Sequence, residues 1–308
     1  MSGGKARAPA ERRLELFEGL LECLALEPDG LDAFRGRSEA DRHGRIFGGQ
    51  AIAQALMAAA RCVPGAEQAE RPAREIRRAH SLHAYFLRPG DPAQPVRFEV
   101  ERLRDGRSFH ARRVAALQRE GVILELLCSF HGDERGYDHA LPMPEVPAPE
   151  SLLTPDALVE SQRGRIPPEC RWAEAPRAIE VRHAVVPAYL GGEAGTQPGA
   201  NWFRTPQALP DDPLLHQCLL AYATDYCFND NAARRHGWNG PQGPPSMASL
   251  DHAVWFHAPA RCDDWLLFHQ ESPFAGRARG FVRGSIFTRD GRQIASATQE
   301  CLLRPPPR

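Results

Sequence analysis

The stretch with the clearest chemical potential runs from Asp212 to Phe228 and carries a carboxylate at an unusual position. Asp212 can cap a helix and Pro213 suits the first helical position, so we predict a helix here. Apolar side chains cover nearly its whole circumference, which is typical of a buried helix. Asp225 falls in the last turn, where its charge opposes the helix dipole and is costly to bury unpaired. Asp225 is therefore either turned to water or retained for chemistry.

An internal repeat shows how the rest of the chain is organised around this helix. Residues 84–130 align with residues 254–300 at a shift of 170 without a gap, and nine pairs are identical. At a shift of 167, Gln50 in an earlier helical stretch aligns with Gln217. We therefore predict a duplicated domain, in which each copy has a helix followed by a meander of strands.

The two copies differ at positions that bear chemistry. The second copy has Asp225, Ser249 and Gln299 where the first has small, mostly inert residues. Gln299 shares one strand face with small apolar residues, so its side chain is expected to point towards the helix. A satisfied core amide explains Gln299 equally well, and a serine in a strand is usually structural.

The elements that position these residues can be read from periodicity and turn signals. Helices are predicted at 12–26 and, with an Ala-rich pattern that a sheet could wrap, at 46–64. The first copy then has four hairpin-linked antiparallel strands, at 79–87, 96–104, 108–118 and 122–131. Further strands are predicted at 178–186 and 202–205, ahead of the second helix. We expect domains at 12–135 and 157–305, joined by a proline-rich linker at 136–156.

Composition excludes several classes of protein. The chain of 308 residues is 42% hydrophobic and has a net charge of −1. The protein therefore has no overall positive potential that would attract nucleic acid or an anionic membrane. No apolar run approaches the roughly 18–20 residues of a membrane span, and the N-terminus lacks the apolar region of a secretory signal. Eight scattered cysteines have no metal-binding spacing and indicate a reducing cytosol. We therefore expect a cytoplasmic location.

Several motifs in a fixed order resemble one family. They are R-I-F-G-G-Q-A, H-S-L-H-A-Y-F-L-R-P-G-D, L-R-D-G-R-S-F-H-A-R-R-V, A-Y-A-T-D-Y, S-L-D-H-A-V-W-F-H, A-R-G-F-V-R-G and T-Q-E-C-L-L-R. Together they are similar to acyl-CoA thioesterase II, over residues 12–304. The resemblance implies an α+β double hotdog, with two antiparallel sheets each wrapped around a central helix. Cys301 departs from the glycine that usually follows Q-E in this family.

The resemblance also implies a reaction and a site. The expected activity is hydrolysis of fatty acyl-CoA to free fatty acid and coenzyme A, with no metal and no cofactor. The family's catalytic positions fall on Asp225, Ser249 and Gln299, the three positions at which the copies diverge. We interpret them as holding one water that attacks the thioester directly, with Asp225 either as the general base or as the group that orients this water. No G-x-S-x-G elbow is present to suggest an acyl-enzyme.

Substrate contacts are less sharply indicated. Arg277, Arg279 and Arg283 lie near one strand and could meet the phosphates of coenzyme A, or be solvated strand charges. Aromatic residues could cap the acyl slot, and the candidates are Phe228, Trp238 and Trp255. Four histidines lie in apolar strands without a carboxylate that completes a metal site, at positions 80, 83, 252 and 257.

Two other functions fit the same sequence. A hotdog enoyl-CoA hydratase would need an Asp–His pair near a helix start, and Asp251 with His252 is the nearest candidate. A non-catalytic acyl-CoA-binding module is the other, although the retained polar set disfavours it. The resemblance implies a homodimer or a larger homo-oligomer.

Overall fold

A computed structural model describes residues 8–39, 44–64, 77–237 and 245–306. Five α-helices are present in these ranges: α1 Pro9–Leu24, α2 Gly48–Arg61, α3 Pro155–Gln162, α4 Pro213–Thr224 and α5 Asp230–Arg234. The strands of the first half are β1 Glu27–Pro28, β2 Ala33–Gly36, β3 Arg78–Phe86, β4 Val96–Asp105, β5 Phe109–Gln118 and β6 Gly121–His131. Those of the second half are β7 Glu180–His183, β8 Gly199–Arg204, β9 Ser246–Ser249, β10 Asp251–Phe256, β11 Leu266–Gly276, β12 Arg279–Thr288 and β13 Gln293–Arg304.

The strands confirm the internal repeat. A shift of 170 residues carries β5 onto β12 at both ends and carries the start of β4 onto the start of β11. The first copy has the strand order β4-β5-β6-β3, and the second has the matching order β11-β12-β13-β10. The sequence identities in turns and on strand charges therefore reflect one supersecondary unit used twice.

The predicted pairing of the first strand was wrong. β3 does not form a hairpin with β4 but pairs with β6, where Leu82 lies opposite Cys128. The chain between β3 and β4 thus crosses from one side of the unit to the other. Hydrophobic alternation fixes which face of a strand is buried but not which strand lies beside it.

The two halves form one continuous sheet, not two separate ones. β3 of the first copy pairs antiparallel with β10 of the second, with Ala253 opposite His83. The result is a 13-stranded antiparallel sheet in which β9 branches off the main order to pair with β13. Each copy presents its outermost core strand to the other, so the edge that would otherwise be unpaired is covered.

α2 and α4 lie inside this sheet and pack against each other. The small side chains of α2 are buried, and Ile52, Ala55 and Leu56 are fully inaccessible within one shared hydrophobic core. A Cβ on Gly49 would lie 2.5 Å from the Tyr222 carbonyl oxygen, so a glycine is needed where the two helices approach. The predicted Ala-rich helix wrapped by a sheet is confirmed.

α4 begins as predicted but ends earlier. The Asp212 carboxylate accepts hydrogen bonds from the backbone N–H groups of Leu214 and Leu215, at 2.9 and 3.2 Å. The helix ends at Thr224, so Asp225 is its C-cap residue and does not lie in the last turn. Cys227 then adopts a positive φ of 60°, and the chain turns into α5. The end of α4 therefore directs the Asp225 carboxylate towards the start of α2.

None of the described helices is both long and apolar enough to cross a bilayer. Residues 132–148 contain no helix or strand, and a short 3₁₀ turn follows at Pro149–Ser151.

Candidate active site

Asp225 is held by the N-terminus of the other central helix. Its Oδ2 accepts a hydrogen bond of 2.8 Å from the backbone N–H of Gly49, the second residue of α2. The positive end of the α2 dipole offsets the unfavourable position of Asp225 at the end of α4. A Cβ on Gly48 would lie 2.7 Å from Asp225 Oδ2, so this close approach depends on the glycine. The carboxylate is thus oriented by a backbone donor from the opposite half of the chain.

Ser249 and Gln299 come together across the second half of the sheet. Ser249 ends β9 and lies opposite Cys301 of β13, two residues beyond Gln299. Gln299 Nε2 donates to Ser249 Oγ at 2.6 Å and to Asn229 Oδ1 at 3.1 Å. Asn229 Nδ2 in turn donates to Ser249 Oγ at 3.1 Å. We call these three residues the Ser–Asn–Gln ring.

The ring fixes the hydrogen-bonding role of the serine. Its oxygen accepts two N–H groups, which occupy both of its lone pairs. Among the described residues, the hydrogen bonds of Ser249 include no acceptor for its own proton. The hydroxyl therefore remains able to donate to a group that enters the site.

His252 holds the glutamine amide from behind. Its Nδ1 lies 2.5 Å from Gln299 Oε1, and its Nε2 lies 2.8 Å from Thr224 Oγ1. Burial lowers the pKa of His252 to about 4, although the hydrogen bond with Gln299 acts in the opposite direction, so the ring is neutral near pH 7. The Nδ1–H tautomer donates to Gln299 Oε1, which turns the amide N–H groups towards Ser249 and Asn229.

A cavity of about 690 Å³ meets Asp225 and Ser249 from both halves of the chain. Its apolar wall includes Phe47, Phe86, Leu124 and Phe228. Asn229 also lines it, but Gln299 and His252 are fully buried and are not among its described lining residues. The predicted set is therefore divided, with Asp225 and Ser249 at the cavity and Gln299 behind Ser249.

The predicted phosphate-binding arginines are not among the lining residues. Arg279 donates to Glu300 at 2.9 Å and Arg283 donates to Glu271 at 2.6 Å, both on the exposed surface of the sheet. Arg277 is exposed in the turn between β11 and β12, with a φ of 52°. Of the described residues that line the cavity, the arginines are Arg45 and Arg88. These two are the better placed cations for a charged ligand.

The aromatic candidates also differ in whether they line the cavity. Phe228 lines the cavity and packs on Phe268 of β11, with ring centroids 5.0 Å apart. Trp255 contacts His83 edge-on at 5.1 Å and is not among the described lining residues. Trp238 lies outside the described residues.

The Asp–His pair that a hydratase would need does not form. Asp251 accepts the backbone N–H of Glu300 at 2.7 Å, whereas His252 bonds Gln299 and Thr224. Successive strand residues point to opposite faces, which keeps the two side chains apart. The described residues contain no group of three or more His, Cys, Asp or Glu side chains that could hold a metal ion.

Sequence reasoning missed the supports of the site. The glycine pair at 48–49 was visible as the start of a helix, but its contact with Asp225 spans 176 residues. Asn229 gave no signal of its own, and His252 was considered only beside Asp251 or as a metal ligand, because a lone polar side chain does not reveal its partner. Each of these supports depends on contacts between distant segments.

Comparison with known proteins identifies the family of this chain. Residues 173–302 match the family model described as acyl-CoA thioesterase, and residues 37–131 match the acyl-CoA thioesterase N-terminal domain. Acyl-CoA thioesterase 2 of Haemophilus influenzae is 35% identical over 94% of this chain and 98% of its own length. The chain belongs to the acyl-CoA thioesterase family. Human acyl-coenzyme A thioesterase 8 is 36% identical, over 99% of this chain and 94% of its own.

Solved structures confirm the predicted double hotdog. The tesB protein of Mycobacterium avium subspecies paratuberculosis superposes with a TM-score of 0.75 at 32% identity, covering 94% of this chain and all of its own. Acyl-CoA thioesterase II TesB2 of Mycobacterium marinum gives a TM-score of 0.72 at 36% identity, over 94% and 98% of the two chains. A structure at 20% identity from Alicyclobacillus acidocaldarius, described as having a hot dog fold, supports the fold alone.

Proposed function

We propose that this acyl-CoA thioesterase family member hydrolyses fatty acyl-CoA to free fatty acid and coenzyme A, with Asp225 and Ser249 acting on the thioester. The observation that carries the proposal is that both side chains meet one cavity of about 690 Å³ with a largely apolar wall. This volume lies within the roughly 300–1,000 Å³ typical of small-molecule sites. No acyl-enzyme is required, because a positioned water can expel a thiolate.

Asp225 is the general base in this proposal. Its hydrogen bond from Gly49 holds the carboxylate in a fixed orientation at the junction of the two halves. A positioned carboxylate that removes a proton from the attacking water contributes about 10²–10⁴-fold in rate.

Ser249 is the hydrogen-bond donor to the thioester carbonyl oxygen. Because Gln299 and Asn229 fill its lone pairs, its proton is available to the developing oxyanion. Gln299 acts through Ser249 and is a positioning residue, and His252 holds the amide of Gln299. The sequence predicted that all three residues hold one water. In the present proposal Asp225 is the base, Ser249 is the hydrogen-bond donor, and the buried Gln299 positions Ser249.

Arg45 and Arg88 are proposed to bind the phosphates of coenzyme A. Both line the cavity, and guanidinium groups make strong charge-assisted bonds to phosphate. Arg88 Nη1 donates to the Val122 carbonyl oxygen at 2.8 Å, which anchors one side of its guanidinium.

The proposal is tested by incubating the purified chain with acyl-CoAs of increasing chain length and measuring free thiol. Thiol release that is lost in Asp225→Asn supports it. Tight binding of acyl-CoA without thiol release, in a folded wild-type protein, would favour a binding module instead. Loss of the enoyl-thioester absorbance without thiol release would favour a hydratase.

We also propose a homodimer or a larger homo-oligomer in the cytoplasm. Tyr85 of β3 and Leu127 of β6 are exposed large apolar side chains on neighbouring strands, and a partner copy would cover them. Light scattering of the purified chain tests the assembly, since a monomer at micromolar concentration contradicts it.

A further inference from the structure

A second cavity, of about 150 Å³, lies at the other end of α4. The large cavity is lined by residues 86–90 and 248–250, and a shift of 170 carries all eight onto 256–260 and 78–80, which line the second cavity. The first residue of each central helix also lines a cavity, since Gly48 of α2 lines the large cavity and Pro213 of α4 lines the second. The second cavity is therefore the counterpart of the candidate active site in the duplicated fold.

This second cavity has lost the groups proposed for hydrolysis. The shift of 170 puts Ala79 at the position of Ser249 and Ser129 at that of Gln299. Among the described residues that line it, the carboxylate is Asp133, which belongs to the segment after β6 and not to a central helix. The second cavity therefore keeps the position of the site without the groups proposed for its reaction.

His216 supplies a buried donor that no well-formed hydrogen bond satisfies among the described residues. Its Nδ1 accepts the backbone N–H of Cys262 at 3.0 Å, and burial lowers its pKa, so the neutral ring carries its proton on Nε2. His216 is 4% exposed and lines the second cavity, and among the described residues its Nε2 makes no well-formed hydrogen bond, although the backbone of Pro210 is close enough to raise its pKa. A buried donor left unsatisfied is costly, so a ligand acceptor at this point would be favourable.

Arg78 supplies a second donor and a positive charge. Its Nε is buried and has no hydrogen-bond partner in the part of the chain that the structure describes, and the side chain lines the same cavity. Its Nη1 lies 3.6 Å from Asp133, whose side chain is 69% exposed and thus well screened by water. The remaining titratable neighbour on β3, His80, is already bonded to Ser129 at 2.8 Å.

The rest of the wall is mixed, with apolar side chains beside the polar His131, Gln217 and His257. It includes Leu220 of α4 and Phe256 of β10, with small residues at 258 and 260. A cavity of about 150 Å³ has room for a ligand about the size of benzene, which has six non-hydrogen atoms. The space therefore suits a ligand with one acidic head and a short alkyl group and is too small for coenzyme A.

We propose that the second cavity binds a short-chain monocarboxylate. The carboxylate oxygens accept hydrogen bonds from His216 Nε2–H and from Arg78, and the alkyl group contacts Leu220 and Phe256. The site is distinct from the proposed hydrolytic centre and needs no catalytic group.

The test is a ligand-observed NMR titration of the full chain with butyrate. Butyramide, which has the same shape without the charge, and inorganic phosphate, which has charge without an alkyl group, serve as comparison probes. Arg78→Gln removes the cation, Ala258→Leu fills the cavity, and Arg119→Gln makes the same charge change in an exposed turn. We expect butyrate to bind best, with affinity reduced roughly tenfold or more in the first two variants and unchanged in the third.

Three results would overturn the proposal. They are no butyrate binding to wild type, equal binding of butyramide, and butyrate binding that neither Arg78→Gln nor Ala258→Leu weakens. The last result would indicate binding in the large cavity. Acyl-CoA turnover by these variants is measured alongside and is expected to match wild type, so the proposed hydrolysis is judged independently. Ala258→Leu keeps the test decisive if Arg78→Gln fails to fold.

Discussion

Replacing Gln299 with glutamate tests how the Ser–Asn–Gln ring directs the Ser249 proton. The substitution Gln299→Glu preserves size and shape but exchanges the amide N–H₂ group for an acceptor. In the wild-type ring, that N–H₂ group donates to Ser249 at 2.6 Å and to Asn229 at 3.1 Å. A carboxylate can only accept, so Ser249 must turn its proton towards it. The hydroxyl then no longer donates into the cavity.

The expected losses of kcat and stability follow from the number of hydrogen bonds in which donor and acceptor exchange roles. If Ser249 donates to the developing oxyanion, its loss costs about 10²–10³-fold in kcat, as for other single donors of this kind. Asn229 must also flip to avoid facing the new acceptor, which removes its own bond to Ser249. The new carboxylate keeps its contact with His252, and we expect the free energy of unfolding to fall by about 1–3 kcal/mol.

The assay is steady-state thiol release with a saturating and a limiting acyl-CoA concentration, together with a thermal melt. Gln293→Glu is the matched control, because it makes the same change at the start of the same strand, where Gln293 is half-buried and bonds Ser285 and Ser296. The control is expected to retain normal kcat. A Gln299→Glu enzyme that folds and keeps kcat within about twofold would refute the assignment of Ser249 as donor.

Further predictions concern the base, the buried histidine and the substrate cations. Asp225→Asn keeps an oxygen for the Gly49 N–H, so kcat should fall about 10²–10⁴-fold with little change in melting temperature. A fall in kcat that is accompanied by a large drop in melting temperature would contradict a role as base. Because the unfolded state of His252 binds a proton near pH 6.5 and the folded state only near pH 4, wild-type stability should fall as pH drops through this window. His252→Gln should remove about 2–3 kcal/mol of that fall between pH 6.5 and 4.5, measured by denaturant unfolding at several pH values, and an unchanged pH slope would count against it. Arg88→Gln should raise KM for acyl-CoA but not for the matching acyl-pantetheine, which lacks the phosphates, whereas Arg283→Gln should leave both unchanged; the reverse pattern would restore the surface arginines as the phosphate site.

Local patterns in the sequence predicted much of the architecture. The duplication, the buried helix before Asp225 and most strands follow from hydrophobic periodicity and turn residues, which are properties of short segments. The face of Gln299 was also predicted, since β13 buries every second residue around it. The divergence between the copies singled out Ser249, because in a repeat each residue can be compared with its equivalent in the other copy.

Pairings between distant segments could not be predicted in the same way. The pairing of β3 with β6, and of β3 with β10, depends on which edges meet after collapse. The same holds for the contact of Asp225 with Gly49 and for the second cavity. Alternation and helical spacing specify a buried face, but a hydrogen bond of 2.8 Å requires two backbones to be placed together by the whole core. The sequence by itself thus determined which residues were candidates. Only the tertiary structure decided that Asp225 and Ser249 line the cavity and that Gln299 is buried behind Ser249.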